Sequence, residues 1–336
     1  MLDDHRRAQK LREEPRTDLA MAHRMQRFVE ALQTRIVKEL ERIEREAGGD
    51  ATFGADRWER ANPDDSDGGG GLSRVIEGGA VWEKGGVNVS AVYGPLPERM
   101  ALAFEVPPTR FFATGLSLVV HPRNPYVPTV HANFRYFALG EDLGRPQDQW
   151  FGGGADLTPY YPERADAAHF HGVWKRVCDA HPGVADYAAF KRACDAYFFL
   201  PHRQEARGVG GVFFDYLRDD PEGTFLFVRQ AGRAFLSSYV PVAERHAGRD
   251  YGERERRYQA HRRGRYAEFN LVYDRGTRFG LETGGRTESI LMSLPPVVNW
   301  SYDWHPEPGT PEAAAQDYFR PHDWLGSGVP GSADQV

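Results

Sequence analysis

Between Met21 and Gly49 apolar residues recur every three to four positions, at Met25, Phe28, Leu32, Ile36, Leu40 and Ile43, and Gly48-Gly49 closes the run. This spacing predicts an amphipathic helix whose apolar stripe lies on the body of the protein. Ahead of it, residues 1–20 are charged and Pro-interrupted and read as a flexible segment. The stretch Asn62–Gly71 has the composition of an exposed linker, and it lacks the Lys-Ser/Thr ending of a phosphate loop. From Leu72 the pattern shortens into runs separated by glycine, Ser73–Trp82, Val87–Tyr93, Leu102–Val106 and Leu116–His121, which suggest an antiparallel sheet. In Val130–Ala138 the period is two. It sends His131, Asn133 and Arg135 to one face and Ala132, Phe134 and Tyr136 to the other. The same parity groups Ser117 with His121. Solvated sheet faces are usually built of Lys, Glu and Thr, so a face of His, Asn and Arg favours a site over a plain surface.

The second half alternates again. Arg164–Ala180 and Asp186–Leu200 carry helical patterns, Gly208–Asp215 reads as a buried strand, and Phe225–His246 as a long amphipathic helix. Tyr251–Arg263 predicts a charged helix, and Arg265–Tyr273 a strand with Glu268 and Asn270 on one side. Gly284-Gly285-Arg286-Thr287-Glu288 predicts a turn with an arginine at its tip, and the chain after Pro295-Pro296 a surface tail.

Composition narrows the class without choosing a function. A chain of 336 residues with 40% hydrophobic and 27% charged residues is an ordinary globular protein, long enough for one large domain or two. No apolar run approaches membrane-spanning length and the N-terminus has no apolar signal core, so the expected compartment is the cytoplasm. A net charge of -6 argues against a general nucleic-acid binder. The two cysteines, Cys178 and Cys194, are too few and too far apart for a disulfide framework, a zinc cluster or an iron-sulfur motif.

The densest chemistry is in Trp150–Tyr161, where aromatics, Gly152-Gly153-Gly154 and a single carboxylate, Asp156, share a dozen positions. Three glycines let a flat ligand or a neighbouring strand approach the backbone, and the aromatics supply flat apolar surface. A glycine-rich bend beside a core aromatic cluster is the plainer alternative. The glycines of Gly208–Gly211 lack the helix and basic residue of a nucleotide fingerprint, which excludes a dinucleotide fold. His121, His131, His169, His171 and His202 invite a metal-site reading, but they contain no His-Glu-x-x-His spacing and no cysteine joins them.

Ser117–Pro122, His131–Arg135, Trp150–Tyr161, His202–Asp215 and Arg265–Pro296 together resemble the oxygen-dependent coproporphyrinogen III oxidases, in the same order from about Gly78 to Trp304. Two departures stand out: Phe214-Asp215-Tyr216 stands where the family usually shows two aspartates, and Tyr273 where a different aromatic is common.

The resemblance implies an α+β fold, a large antiparallel sheet flanked by helices on both faces, as a single catalytic domain over residues 21–304 with a surface tail at 305–336. It implies oxidative decarboxylation of two propionates of coproporphyrinogen III to vinyls, giving protoporphyrinogen IX, with dioxygen as co-substrate and no organic cofactor. Catalysis is implied for His131, Arg135 and Asp156, and substrate binding for Ser117, Asn133, Phe134, Arg135, Gly284, Gly285 and Arg286. His121, His131, His171 and His202 match positions proposed as metal ligands, so a divalent metal is possible, though the spacing does not require it. The implied partners are a tetrapyrrole substrate and a second copy of the chain in a homodimer. A non-catalytic tetrapyrrole carrier and a histidine-metal oxygenase remain as alternatives; the carrier has less use for a buried carboxylate.

Overall fold

The computed structural model describes residues 20–60, 68–282 and 285–326. Helix α1 (Met21–Glu46) is followed by strands β1 (Gly54–Glu59), β2 (Gly69–Glu77) and β3 (Trp82–Pro95), helix α2 (Glu98–Phe104), and strands β4 (Arg110–Pro122), β5 (Thr129–Leu139) and β6 (Asp148–Thr158). Helices α3 (Arg164–Asp179) and α4 (Tyr187–Tyr197) lead to a small ribbon, β7 (Phe199–Leu200) and β8 (Glu205–Ala206), and then to strand β9 (Gly210–Leu217). Helices α5 (Pro221–Ala247) and α6 (Glu253–Glu268), a π-helical turn (Phe269–Tyr273), and helices α7 (Arg275–Glu282), α8 (Thr287–Leu291) and α9 (Pro311–Ala315) complete the chain. The main sheet has seven antiparallel strands in the order β1-β2-β3-β4-β5-β6-β9. Its hairpin-like connections bring β4, β5 and β6 side by side, and α3 and α4 deliver β9 to the free edge of β6.

The two sheet faces differ because the strands alternate. Leu118, Ala132, Phe134, Tyr136 and Phe151 turn to one face, where they are buried against Met25, Leu32 and Ile36 of α1 and Phe225, Phe235 and Tyr239 of α5. Burying such a side chain fully is worth about 1.5–3 kcal/mol over leaving it exposed, so this layer anchors the fold. The opposite face carries the polar set of β4 and β5. It is roofed by the end of α6, the π-turn and α7–α8, with Met292 seated over Gly86 and the Ser289 hydroxyl 2.9 Å from that of Ser73.

Four expectations change. Leu102–Val106 is not a strand: it falls in and just after α2, where Met100, Ala101 and Phe104 pack on Phe111 and Trp150 at helical spacing and Leu102 faces solvent. Arg265–Tyr273 is helical throughout, so Glu268 and Asn270 turn to different surroundings. Gly69–Gly71 belong to β2 instead of a linker, with Gly70 and Gly71 paired to Glu59 and Trp58 of β1, an exposed polar edge strand without apolar alternation; residues 61–67 lie outside the described residues. The tail is docked up to its described end at residue 326: Phe319 and Trp324 are each 1% exposed, and Glu312 accepts a hydrogen bond from Tyr161. Residues 1–19 and 327–336 lie outside the described residues. Among the described residues, no helix is long and apolar enough to cross a membrane.

Candidate active site

A cleft of about 680 Å³ opens on the polar face, floored by β4, β5, β6 and β9 and roofed by the π-turn and α7–α8. That size falls in the range of roughly 300–1,000 Å³ typical of small-molecule sites. The β4–β5 register sets Ser117 beside Asn133, and the β5–β6 register sets His131 beside Asp156 and Arg135 beside Gly152. The alternation read from the sequence therefore builds the floor.

At one end of the floor three ionisable groups form a chain. Asp156, 2% exposed, accepts from His131 Nδ1 at 2.8 Å and from Arg207 Nη2 at 2.6 Å. Burial alone would push the Asp156 carboxyl up, but the Arg207 guanidinium and the His131 ring outweigh it and hold the group below the usual carboxylate range. Arg207 is equally buried. Desolvation would lower its pKa, yet Asp156 keeps it above the ordinary arginine value. It lies among the rings of Phe198, Tyr266 and Phe269, with its guanidinium carbon 4.0, 4.5 and 4.8 Å from their centroids. Its Nη1 donates to Asn270 Oδ1 at 3.0 Å, which the π-helical turn directs inward. His131 and Arg207 both line the cleft, and the His131 side chain, 25% exposed against 2% for Arg207, is the more open of the two to a ligand.

A second pair crosses the floor. Arg135 reaches from β5 over β6 to Asp215 on β9, Nη2 to Oδ2 at 2.7 Å, and also donates to Asn133 at 2.9 Å. A Cβ at Gly152 would stand 2.5 Å from Asp215 Oδ1 and 2.7 Å from Arg135 Nε, so this position must lack a side chain. One of the three consecutive glycines is thereby explained by side chains of this chain. Flat walls come from Tyr197 stacked on Phe213 at 4.6 Å and Phe137 on Trp150 at 4.6 Å. Arg275 lies over Tyr197 at 4.9 Å and forms no salt bridge among the described residues, leaving a cation facing the cleft.

The remaining predicted residues divide. Ser117, His131, Asn133 and Arg135 line the cleft together, with Asp156 just beneath. Phe134 does not belong with them: strand parity turns its side chain into the core behind the sheet, fully buried. Arg286 is outside the cleft lining and pairs with Asp56 of β1, because α8 places it over the sheet edge. Gly285 donates its amide to Gly280 and closes α7, while Gly284 lies outside the described residues. The four histidines do not gather. His121 contacts Thr129 and Ser293, His171 contacts Tyr187 and Val209, and His202 contacts Tyr273 and Glu268, each through both ring nitrogens. Burial holds His121 well below the ordinary histidine value and His171 at about 3. Among the described residues the one group with ligand atoms close enough for an ion is Glu163, Asp166 and His246, where Arg245 and Arg249 already pair with the carboxylates. The donor set therefore does not fit a metal at the four histidines.

Sequence reasoning assigned no role to Arg207, Asn270, Asp215 or Arg275. The available signal was the basic run His202–Arg207 leading into a glycine-rich strand that pairs with β6.

Comparison with known proteins agrees with this geometry. Residues 24–324 match the family described as coproporphyrinogen III oxidase. An oxygen-dependent coproporphyrinogen-III oxidase of Francisella philomiragia subsp. philomiragia is 47% identical over 302 residues, covering 89% of this chain and 96% of that protein. With the match spanning the whole sheet, its roof and the docked tail, the chain belongs to the coproporphyrinogen III oxidase family.

Proposed function

We propose that this chain converts coproporphyrinogen III to protoporphyrinogen IX with dioxygen, as a cytoplasmic homodimer. The observation that carries the reading is the buried Arg207–Asp156–His131 chain opening onto an aromatic-walled cleft that also holds Arg135 and Arg275. The substrate is a flexible, electron-rich macrocycle with four carboxylates, and it calls for flat apolar walls and guanidinium groups. In each half-reaction a propionate, one dioxygen and one proton give a vinyl group, carbon dioxide and hydrogen peroxide. The two electrons released as the carbon–carbon bond to the carboxylate breaks, with loss of hydrogen from the neighbouring carbon, pass to dioxygen. The substrate itself is thus the reductant.

The residues of the chain would bind and move protons. Arg135, on a surface aromatic on both sides, holds the reacting propionate, with Asn133 and Asp215 fixing the guanidinium plane. His131 faces the pyrrole and exchanges a proton with its N–H, and Asp156 orients the ring through Nδ1. Arg207 keeps Asp156 ionised. No step in this reading is assigned to a metal, because His121, His171 and His202 each spend both ring nitrogens on other partners and His131 spends Nδ1 on Asp156.

The deciding experiment is an aerobic assay of chelator-treated, refolding-checked protein with coproporphyrinogen III, following protoporphyrin fluorescence after oxidation. Two carbon dioxide molecules and two vinyls per macrocycle are expected. Binding without turnover would leave a carrier. Activity that disappears on chelation and returns with one divalent ion would make it a metal oxygenase.

A further inference from the structure

Tyr216 is one of four non-glycine residues with a positive φ among the described residues, at 54°, a left-handed conformation that costs any L side chain. Its position explains why that conformation occurs. The β6–β9 register shifts between Phe151 and Gly153: Phe151 is opposite Leu217 while Gly153 is opposite Phe214, so β9 carries one residue more than β6 over this step. That is a β-bulge, and the extra residue breaks the alternation of the strand. In a regular strand Asp215 would face the cleft and Tyr216 the core. Here both line the cleft. The turn is pinned by Asp215, whose Oδ1 accepts the Tyr216 amide at 3.0 Å while its Oδ2 holds Arg135.

The ring delivered by the bulge is half exposed, at 50%. It stacks on Trp150 with centroids 5.5 Å apart and an interplanar angle of 28°. Arg218 lies over both rings, 5.4 Å from Trp150 and 5.5 Å from Tyr216, and its charge is tied to Asp148. Trp150 in turn stacks on Phe137. The hydroxyl of Tyr216 has no hydrogen-bond partner among the described residues, so neither a buried hydrogen bond nor core packing accounts for a tyrosine at a strained position. A flat face presented to the cleft does.

Resting on the function proposed above, we infer that Tyr216 is a specificity-determining residue: with Trp150 it forms the platform at the cleft mouth on which an outer pyrrole ring of the macrocycle lies. A porphyrinogen has no continuous aromatic plane, so its four pyrroles must be seated one by one, and a stacked pair beside the Arg135 site can seat the ring next to the one that reacts.

The test uses the full-length enzyme and the variants Tyr216→Phe, Tyr216→Gly and Tyr216→Asn. Glycine and asparagine both accept the left-handed backbone, so they remove the ring without adding strain. Phenylalanine keeps the ring. Expected are an unchanged KM for Tyr216→Phe and a KM raised about tenfold for the other two, the ratio for losing one aromatic contact, with kcat within about twofold. Titration of coproporphyrin III against intrinsic tryptophan fluorescence should show the same ranking without turnover. A wild-type KM in both ring-less variants overturns the platform while leaving the enzyme reading intact. Wild-type protein that neither binds nor converts the tetrapyrrole overturns that reading and the platform with it.

Discussion

Asp156 has two protein partners and almost no water, so its charge is set by Arg207 and His131. This explains how a carboxylate can stay ionised in a site otherwise walled by aromatics. Asp156→Asn keeps the shape but removes the charge that orients His131 through Nδ1. Turnover is expected to fall by about two orders of magnitude or more, the scale of losing a positioned acid–base group, while circular dichroism and KM stay close to wild type. Near-normal turnover under air would make Asp156 a structural counter-ion of Arg207 alone. The sequence pointed to Asp156 as the one ionisable group in its segment, and to His131, Asn133 and Arg135 through strand parity, because both signals are local. Arg207 lies 51 positions from Asp156 and meets it only when β9 pairs with β6, a choice of neighbour that no local period encodes. Phe134 is set apart for a related reason: its sequence neighbours line the cleft, but alternation sends its side chain to the other face.

At the scale of elements, the strands with clear alternation were legible and the edges and roof were not. β5 has a buried and a half-buried face and so a clean period, whereas β1 is almost wholly exposed and shows none. The end of α6 looked like a strand because Tyr266, Phe269 and Tyr273 are aromatic, yet their rings face the core side of a helix that passes into a π-turn. Tertiary packing overrode strand propensity there. The roof also holds Arg286, expected at the substrate, outside the cleft lining. Its pairing with Asp56 joins α8 to β1, and the side chains are 29% and 53% exposed, so solvent screens the pair to about 1 kcal/mol or less. Arg286→Ala should accordingly lower Tm slightly and leave KM within about twofold of wild type. A tenfold rise in KM with unchanged Tm would return Arg286 to the substrate, and Arg275→Ala provides the comparison, since its guanidinium lines the cleft.

For the whole molecule, the buried histidines have a consequence for acid stability. His121 and His171 are sealed in the interior, and burial holds His171 at about 3 and His121 well below the ordinary value of 6.5. His261, under Trp304 and beside Arg265 and Arg262, is held at about 4 by burial and then by those cations. All three therefore stay neutral in the folded chain at pH values where the unfolded chain binds protons. The sign follows: their stabilising contribution is complete above pH 6.5 and is lost as pH falls toward 4 and 3, by up to about 1.4 kcal/mol per pH unit for each histidine. Glu268 acts in a lower window. Burial would raise it, but hydrogen bonds from Arg203 and His202 hold it at about 2, so its contribution is complete above 4.5 and fades only between 4.5 and 2. Acid unfolding should then begin with the histidines, well before the carboxylates titrate. Melting temperature is expected to drop steadily from pH 6.5 to 5, and His171→Gln, which cannot titrate, should make that drop shallower even though it starts from a lower Tm at pH 7.5. A melting temperature that is level from pH 7 to 5 would mean that these rings reach water or protonate without unfolding the chain, and the sealed interior around them would have to open on a much finer scale than the whole fold.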